Sequence, residues 1–452
     1  FDIPHPPFGH LPPPGEGMNA AMTAARPWRK ALLWLAIAAV FFYATYGGAN
    51  WLTSRRGDVG AVVLDWERHI PFLAWSILPY WSINAFYAAS FFVCRDEDEL
   101  RIQVRRLLTA QVIAVTCFVL FPLRMTFERP PTDGLPGLLF EVLGGFDRPF
   151  NQAPSLHVAL SVVLTDFYCR HVAPRWRWLV HAWFWIVALS VLTTWQHHFI
   201  DLPTGALLGA LVVWFWPWQA RAPLARPGLT EIPRRRVLAL RYAIAAIATA
   251  ALAPALGGAG YWLLWPALSL GLVAAAYAFL GVAAFQKDGE GRQGMAARWL
   301  FLPYRIGAWI NARLWTRNDP PAVHVADGVW IGRMPLRHEL TALSTRRVVD
   351  LCAELPAPRG LDVVRAHPAL DLVPLDRAAI EDAAASIEAL RRDGPVLVVC
   401  ALGYGRSAAA IAGWLLLSGR AADATRAVAM VRAAKPRIVL EPGVLPPVPV
   451  AP

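Results

Sequence analysis

Cys400 and Arg406 close a short loop at the end of an apolar run, VLVVCALGYGRSAAAIAG (396–413). The C-x5-R spacing suits chemistry on a phosphate dianion. A loop of this length can turn its backbone N–H groups inward around the anion, with the thiol and the guanidinium on its rim. The thiolate is the nucleophile, and the guanidinium fork binds two phosphate oxygens and the transition state. Gly403 and Gly405 permit the turn. A helix opening at Arg406-Ser407 adds positive potential and lowers the thiol pKa. The Ser407 hydroxyl can assist the sulfur when it leaves in a second step. The spacing alone says little; strand, glycine-bearing loop, Arg-Ser and helix together say much more.

Three more clusters put polar side chains inside or beside apolar runs, where they are costly and therefore candidates for function. They are Arg124 with Arg129-Pro130, then Pro154-Ser155-Leu156-His157, then Gln196-His197-His198-Phe199-Ile200-Asp201. Arg124 and Arg129 can clamp phosphate oxygens. Ser155 and backbone N–H groups near a helix start can hold an anion. One histidine can attack phosphorus while another protonates the leaving oxygen. Asp201, four residues after His197, can bond the far ring nitrogen and fix the tautomer. No metal-ligand spacing is present, and neither constellation calls for a cofactor.

The elements that must position these residues follow from composition. The chain has 452 residues, 56% hydrophobic and only 17% charged, against about 25% charged in soluble domains. The apolar residues gather into long runs, which excludes a wholly soluble or a disordered protein. Eight runs are long enough, or nearly so, to cross a bilayer: 31–53, 71–93, 107–123, 152–169, 178–195, 203–219, 237–257 and 261–285. The net charge of +11 lies mostly in short clusters between these runs, as membrane topology requires, so nucleic acid is not an expected partner. Twenty-one Trp fit bilayer interfaces. The five cysteines (Cys94, Cys117, Cys169, Cys352, Cys400) form no CxxC pair or regular framework, so no disulfide scaffold is expected. Residues 1–17 hold six prolines and are read as disordered or upstream sequence, with Met18 or Met22 as possible starts.

Arginine and lysine are rich before the first run (Arg26, Arg29, Lys30) and in the second (Arg95, Arg101, Arg105, Arg106), fourth (Arg170, Arg175, Arg177) and sixth loops (Arg221, Arg226, Arg234, Arg235, Arg236). The alternate loops are poorer, so both termini should be cytoplasmic. The three polar clusters then share the outer, periplasmic face. After residue 285 the composition changes. Residues 286–318 are basic and Trp-bearing, as in an interfacial linker. In 319–452, strand-like runs (329–332, 348–351, 396–399) alternate with helix-like stretches (378–392, 407–418, 421–434), which predicts a small α/β domain. The expected division is a tail (1–30), a six-span membrane domain (31–220), two further spans (221–285), the linker (286–318) and the α/β domain (319–452).

The first half resembles the type 2 phosphatidic acid phosphatase superfamily, whose pattern is KxxxxxxRP, PSGH and SRxxxxxHxxxD on a six-helix membrane core. Arg129-Pro130, Pro154-Ser155-x-His157, and His197 with Asp201 match it; Leu156 replaces a glycine. The resemblance covers about 105–215. It implies an all-α polytopic core, His197 as nucleophile oriented by Asp201, His157 as general acid, and Arg129 and Ser155 as phosphate ligands. The family lysine falls at Pro122, so Arg124 stands in at different spacing, and its SR pair falls at Ser190-Val191. In these departures the chain is similar to the inositol phosphorylceramide synthase branch, which passes a phosphoryl headgroup to an alcohol.

Residues 320–440 resemble the dual-specificity branch of the protein tyrosine phosphatases, with Val399 where that family has His. The resemblance implies an aspartic general acid upstream, for which Asp376 is preferred and Asp371 is the alternative. Together the halves are similar to bacterial inner-membrane fusions of these two phosphatase types. That implies a bifunctional membrane phosphatase. One half acts on a lipid phosphate or diphosphate at the periplasmic side. The other acts on a phosphoprotein or phosphorylated headgroup in the cytoplasm, where thiols stay reduced. The alternatives are a headgroup phosphotransferase with an accessory phosphatase domain, and a non-catalytic phosphate-binding module.

Overall fold

The computed structural model describes residues 26–218, 222–225, 227–343, 345–440, 443 and 445. The proline-rich stretch 1–17 and the loop arginines Arg221 and Arg226 lie outside the described residues. The chain separates into two compact units, Phe1–Trp218 and Gln219–Pro452. The last two apolar runs and the basic linker therefore belong with the α/β part, in one unit.

The first unit is helical: α1 (Trp28–Thr53), α2 (Ile77–Val93), α3 (Glu97–Leu120), α4 (Gly134–Gly144), α5 (Leu156–His171), α6 (Arg177–Thr193) and α7 (Asp201–Phe215). Capping residues explain two of the starts. Asp96 accepts from the Glu99 N–H and precedes three acidic residues, which complement the helix dipole of α3. Ser155 accepts from the Val158 N–H at the head of α5. Helix α4 was not expected; it follows the Arg129-Pro130 loop.

Five helices among the described residues are long and apolar enough to cross a membrane: Trp28–Thr53, Glu97–Leu120, Pro174–Thr193, Pro233–Leu256 and Gly258–Phe285. The remaining three expected spans form shorter helices, α2, α5 and α7, of 17, 16 and 15 residues. Their rise is roughly 22–26 Å at 1.5 Å per residue.

Helices α5 and α7 approach closely because α7 carries Gly205 and Gly209 on one face. A Cβ at Gly205 would lie 2.5 Å from the Ser155 carbonyl oxygen, and one at Gly209 would lie 2.6 Å from the Val162 Cβ. Small residues four apart permit this backbone approach. The chain in this way places the Ser155-His157 turn against the head of α7.

In the second unit α8 (Pro233–Leu256) packs against a mixed helix over Gly258–Phe285. Its regular α part, α9, is Leu264–Ala275, followed by a π turn (Ala276–Leu280) and a 3-10 turn (Gly281–Phe285). Two shorter helices follow, α10 (Met295–Leu300) and α11 (Leu302–Trp315). The sheet has five strands, β1 (Ala322–Ala326), β2 (Val329–Arg333), β3 (Arg347–Cys352), β4 (Val363–Ala369) and β5 (Val396–Cys400), in the order β1-β2-β5-β3-β4. All pairings are parallel except β1 with β2. Helices α12 (Arg377–Arg391), α13 (Arg406–Leu417) and α14 (Ala424–Ala434) complete the unit. Strand β5 is buried along its whole length and sits mid-sheet, as its unbroken VLVV run predicts.

Lys287 ties the two layers of this unit together. Its ammonium pairs with Asp350 at 2.5 Å, and it donates to the carbonyls of Cys352 and Leu355, with both charged side chains wholly buried. Burial pushes the Asp350 carboxyl up, and Lys287 only partly offsets this.

Candidate functional site

The first site is the loop between β5 and α13. Cys400 is the last residue of the strand and Arg406 the first of the helix, so the expected strand–loop–helix order is present. The Gly403 N–H donates to the Cys400 sulfur at 3.2 Å, and Ser407 Oγ lies 3.4 Å from that sulfur. Gly403 has φ +81°, and a Cβ there would meet the Gly332 carbonyl oxygen at 2.6 Å. Only glycine fits this position. Gly405 is different: its φ is −112°, and a Cβ would meet open space, so the turn does not depend on it.

Arg406 is buried and held by two carboxylates. Its two terminal nitrogens reach Glu354 at 2.7 and 2.9 Å, and Nη2 also reaches Asp371 at 2.8 Å. The two acids respond oppositely. Burial pushes Glu354 up, but the Arg406 charge and fork outweigh it and hold this carboxyl below its usual range. Burial also pushes Asp371 up. Arg406 pulls it down and the Glu354 charge adds to the rise, so the net displacement is upward. A carboxyl that keeps its proton to higher pH suits a general acid.

Asp376, the preferred acid, is placed elsewhere. Its carboxylate accepts from the Ala379 N–H as the N-cap of α12, and the residue is exposed. An aspartate heading a helix in this way is its cap. The structure brings Asp371 to Arg406 instead. The next residue, Leu372, has φ +57°, an uncommon backbone for a branched side chain and a mark of a constrained loop.

Two partners went unseen in the sequence. Glu354 is 52 residues from Arg406 and no motif announces it. Lys435 is only 3% exposed and has no hydrogen-bond partner among the described residues; its ammonium lies over the Tyr404 ring and 3.9 Å from Asp319. Burial pushes its pKa down, while the Asp319 and Cys400 charges draw it back up.

The second site lies in the helical unit. His197 Nδ1 pairs with Asp201 at 3.0 Å, both buried, which leaves Nε2 as the free ring nitrogen. The Ser155 N–H donates to the Asp201 carbonyl, and this binds the two motifs together. His157 stacks on Tyr80 at 4.0 Å, its centroid is 6.4 Å from that of His197, and its Nε2 has no hydrogen-bond partner among the described residues. Arg124, Arg129 and Gln196 line a cavity of about 750 Å³ together with Asp147. Arg129 Nη1 is buried without a partner among the described residues. Ser155 spends its hydroxyl on the α5 cap.

His198 takes a role of its own. Its Nε2 accepts from the Thr126 N–H, so Nδ1 carries the proton and donates to Glu67 at 2.9 Å. Glu67 also accepts from the Leu64 and Phe199 N–H groups. These bonds outweigh its burial and hold the carboxyl below the usual range. The pair pins the 124–130 loop, which carries both arginines. Among the described residues no group of His, Cys, Asp and Glu could hold a metal ion.

No family model matches the chain, and no curated protein matches it. Solved structures do. Human DUSP28 is 26% identical over 28% of this chain and 88% of its own, with a TM-score of 0.25. Tk-PTP in its active form is 26% identical over 28% of this chain and 92% of its own, with a TM-score of 0.26. A mouse protein described as a dual specificity phosphatase, complexed with zinc tungstate, is 30% identical over 28% of this chain and 82% of its own, with a TM-score of 0.25. The similarity is thus with dual-specificity and tyrosine phosphatases, and it covers little more than a quarter of the chain.

Proposed function

We propose that the sheet-bearing unit hydrolyses phosphomonoesters through a phosphocysteine. The observation that carries this reading is the Cys400 loop, with an inward N–H at the sulfur, Ser407 beside it and Arg406 at the helix start. The Cys400 thiolate attacks phosphorus and the ester P–O bond breaks. The Asp371 carboxyl gives its proton to the departing oxygen. Water then attacks the phosphocysteine, its proton passes to the Asp371 carboxylate, and the P–S bond breaks to release phosphate. Ser407 hydrogen-bonds the departing sulfur. Arg406 and Lys435 balance the charge of the phosphoryl group.

For the helical unit we propose transfer of a phosphoryl group from a membrane lipid through His197. The His197–Asp201 pair, the unpaired His157 Nε2 and the arginine-lined cavity support it. His197 Nε2 attacks phosphorus and His157 protonates the leaving oxygen; water then hydrolyses the phosphohistidine. Asp147 lines the same cavity, accepts from the Tyr46 hydroxyl at 2.8 Å, and is pushed up by burial, which suits a base for the accepting hydroxyl, of water or of an alcohol. The arginine-rich loops support a reading with cytoplasmic termini and a periplasmic lipid site.

The test is phosphate release from lipid phosphates and p-nitrophenyl phosphate by wild type, His197→Ala and Cys400→Ser. Loss of only lipid turnover in the first variant and only soluble turnover in the second supports two independent sites. A new lipid formed only when inositol or glycerol is added supports a transferase. Inactivity of wild type on the whole panel sinks the catalytic reading in favour of a phosphate-binding module.

A further inference from the structure

The phosphatase loops of the second unit are built onto its membrane hairpin. The hydroxyl of Tyr277, near the end of the last span, donates to the Asp371 carbonyl oxygen at 2.9 Å, and Lys287, just past that span, holds the Cys352 and Leu355 carbonyls. Tyr242 of α8 stacks on Tyr277 at 5.5 Å, and Tyr304 of α11 meets Tyr242 edge-on at 5.8 Å. A loop carrying the acid, the Arg406 partner Glu354 and the strand end before it are thus seated on residues that belong to the spans or follow directly from them.

Helix α11 continues this arrangement. Its exposed face is apolar, with Ile306, Trp309, Ile310 and Leu314, while Arg305 and Arg313 flank it. Apolar and Trp residues beside arginines are the composition of a helix lying in a bilayer interface. Between α11 and the catalytic loops is a cavity of about 290 Å³, lined by Arg305, Arg313, Arg337, Leu355 and Ala401, the residue after the nucleophile. Arg305 Nε is buried without a hydrogen-bond partner among the described residues. Arg313 is already paired with Glu339 at 3.3 Å, whereas Arg305 and the exposed Arg337 have no carboxylate partner among the described residues; these two cations next to the phosphate loop suit a second anion on the substrate.

We propose that the substrate of the Cys400 site is a membrane glycerophospholipid whose headgroup ends in a phosphomonoester. The terminal phosphate enters the Cys400–Arg406 loop, and the bridging phosphodiester rests between Arg305 and Arg337 at the bilayer surface. This rests on the phosphocysteine reading above and names its substrate class. The chemistry is unchanged: the terminal P–O bond breaks, the headgroup alcohol takes the Asp371 proton, and the lipid stays in the membrane.

The experiment uses the full chain in phosphatidylcholine nanodiscs, counting phosphate release that Cys400→Ser abolishes. The substrates are phosphatidylglycerol phosphate and phosphatidylinositol monophosphate, which have a bridging diester, and phosphatidic acid, which has none. Soluble glycerol phosphate, a phosphotyrosine peptide and p-nitrophenyl phosphate complete the set. The bridged lipids are expected to exceed glycerol phosphate and the peptide in kcat/KM by about a hundredfold, because remote binding energy is realised only with the diester and the bilayer present. Arg305→Gln and the exposed Arg337→Gln are expected to lower the ratio of bridged-lipid to p-nitrophenyl phosphate turnover by about tenfold each, mainly through KM. Equal turnover of peptide and lipid overturns the proposal, as does an unchanged ratio in both arginine variants or a preference for phosphatidic acid. If Cys400→Ser leaves p-nitrophenyl phosphate turnover untouched, the phosphocysteine reading itself fails, and the proposal with it.

Discussion

Arg406 Nη2 and Asp371 Oδ1 are 2.8 Å apart, so the guanidinium proposed to clamp phosphate and the carboxyl proposed as the acid are in direct contact. Their contact sets the acid's protonation and its distance from the loop at once. It also means that the carboxyl must carry its proton while it touches a cation, which the burial of Asp371 and the nearby Glu354 charge make feasible.

Asp371→Asn is expected to lower kcat for an alkyl phosphomonoester by about a hundredfold or more, the usual range for general acid catalysis. The acid works protonated, so activity falls as pH rises through its upward-shifted pKa. The variant should lose that basic limb of the pH profile. Asp376→Ala should keep both rate and limb and lose about 1 kcal/mol of stability, as for a helix N-cap. A thermal-unfolding scan beside the pH profile separates the two.

Gly403→Ala adds a methyl group at a positive φ and against the Gly332 carbonyl. The strain of a left-handed backbone, about 1–2 kcal/mol, adds to the clash, and the Gly403 N–H turns off the sulfur. Turnover should be lost in a protein that still folds. Gly405→Ala, with open space at its Cβ, should retain turnover. Circular dichroism and p-nitrophenyl phosphate hydrolysis test both.

The Glu354–Arg406 pair makes stability depend on pH in a definite direction. Glu354 titrates below its unfolded value, so its contribution is complete above about pH 4.3, the ordinary glutamate pKa. It is lost as pH falls through the lower folded value. Glu354→Ala leaves Arg406 facing only Asp371, and should cost about 3–5 kcal/mol, as when one partner of a buried pair is removed. Urea unfolding of wild type and Glu354→Gln across pH 3–6, scaled against about 4.3 as the reference value, should show a larger acid-side loss in wild type than in the variant, which keeps the share of carboxylates such as Glu67 and Glu339.

Glu67 acts through His198 and the Thr126 loop, so it is a positioning residue. Glu67→Ala should raise KM for a lipid phosphate about tenfold, by loosening the loop that carries Arg124 and Arg129, while His197→Ala removes turnover. Glu67→Gln can still accept from the Leu64 and Phe199 N–H groups and should recover most of the affinity. A KM change without that rescue contradicts the assignment.

The residues legible in the sequence are those whose partners lie within one turn or one loop. His197 and Asp201 are four apart and pair through Nδ1; Cys400 and Arg406 stand at the two ends of one short loop, between β5 and α13. Glu67, 131 residues from His198, and Glu354 could be found only by folding the chain. The three central strands were legible as apolar runs. The missed strands, β1 and β4, are the two sheet edges, where His324, Arg365 and Pro368 break the pattern because an edge strand faces solvent on one side. The capping bond of Asp376 is local, and its distance from Cys400 along the sequence does not reveal it.

Lys287 has a consequence for where the chain can be cut. The cation that partly offsets the burial of Asp350 comes from the chain just beyond the last apolar helix, outside the sheet it serves. A sheet domain translated on its own from residue 319 would carry a buried carboxylate with no counter-charge, beside the strand that ends at the nucleophile. A fragment cut at residue 319 is therefore expected to be less stable than the same domain in the whole chain.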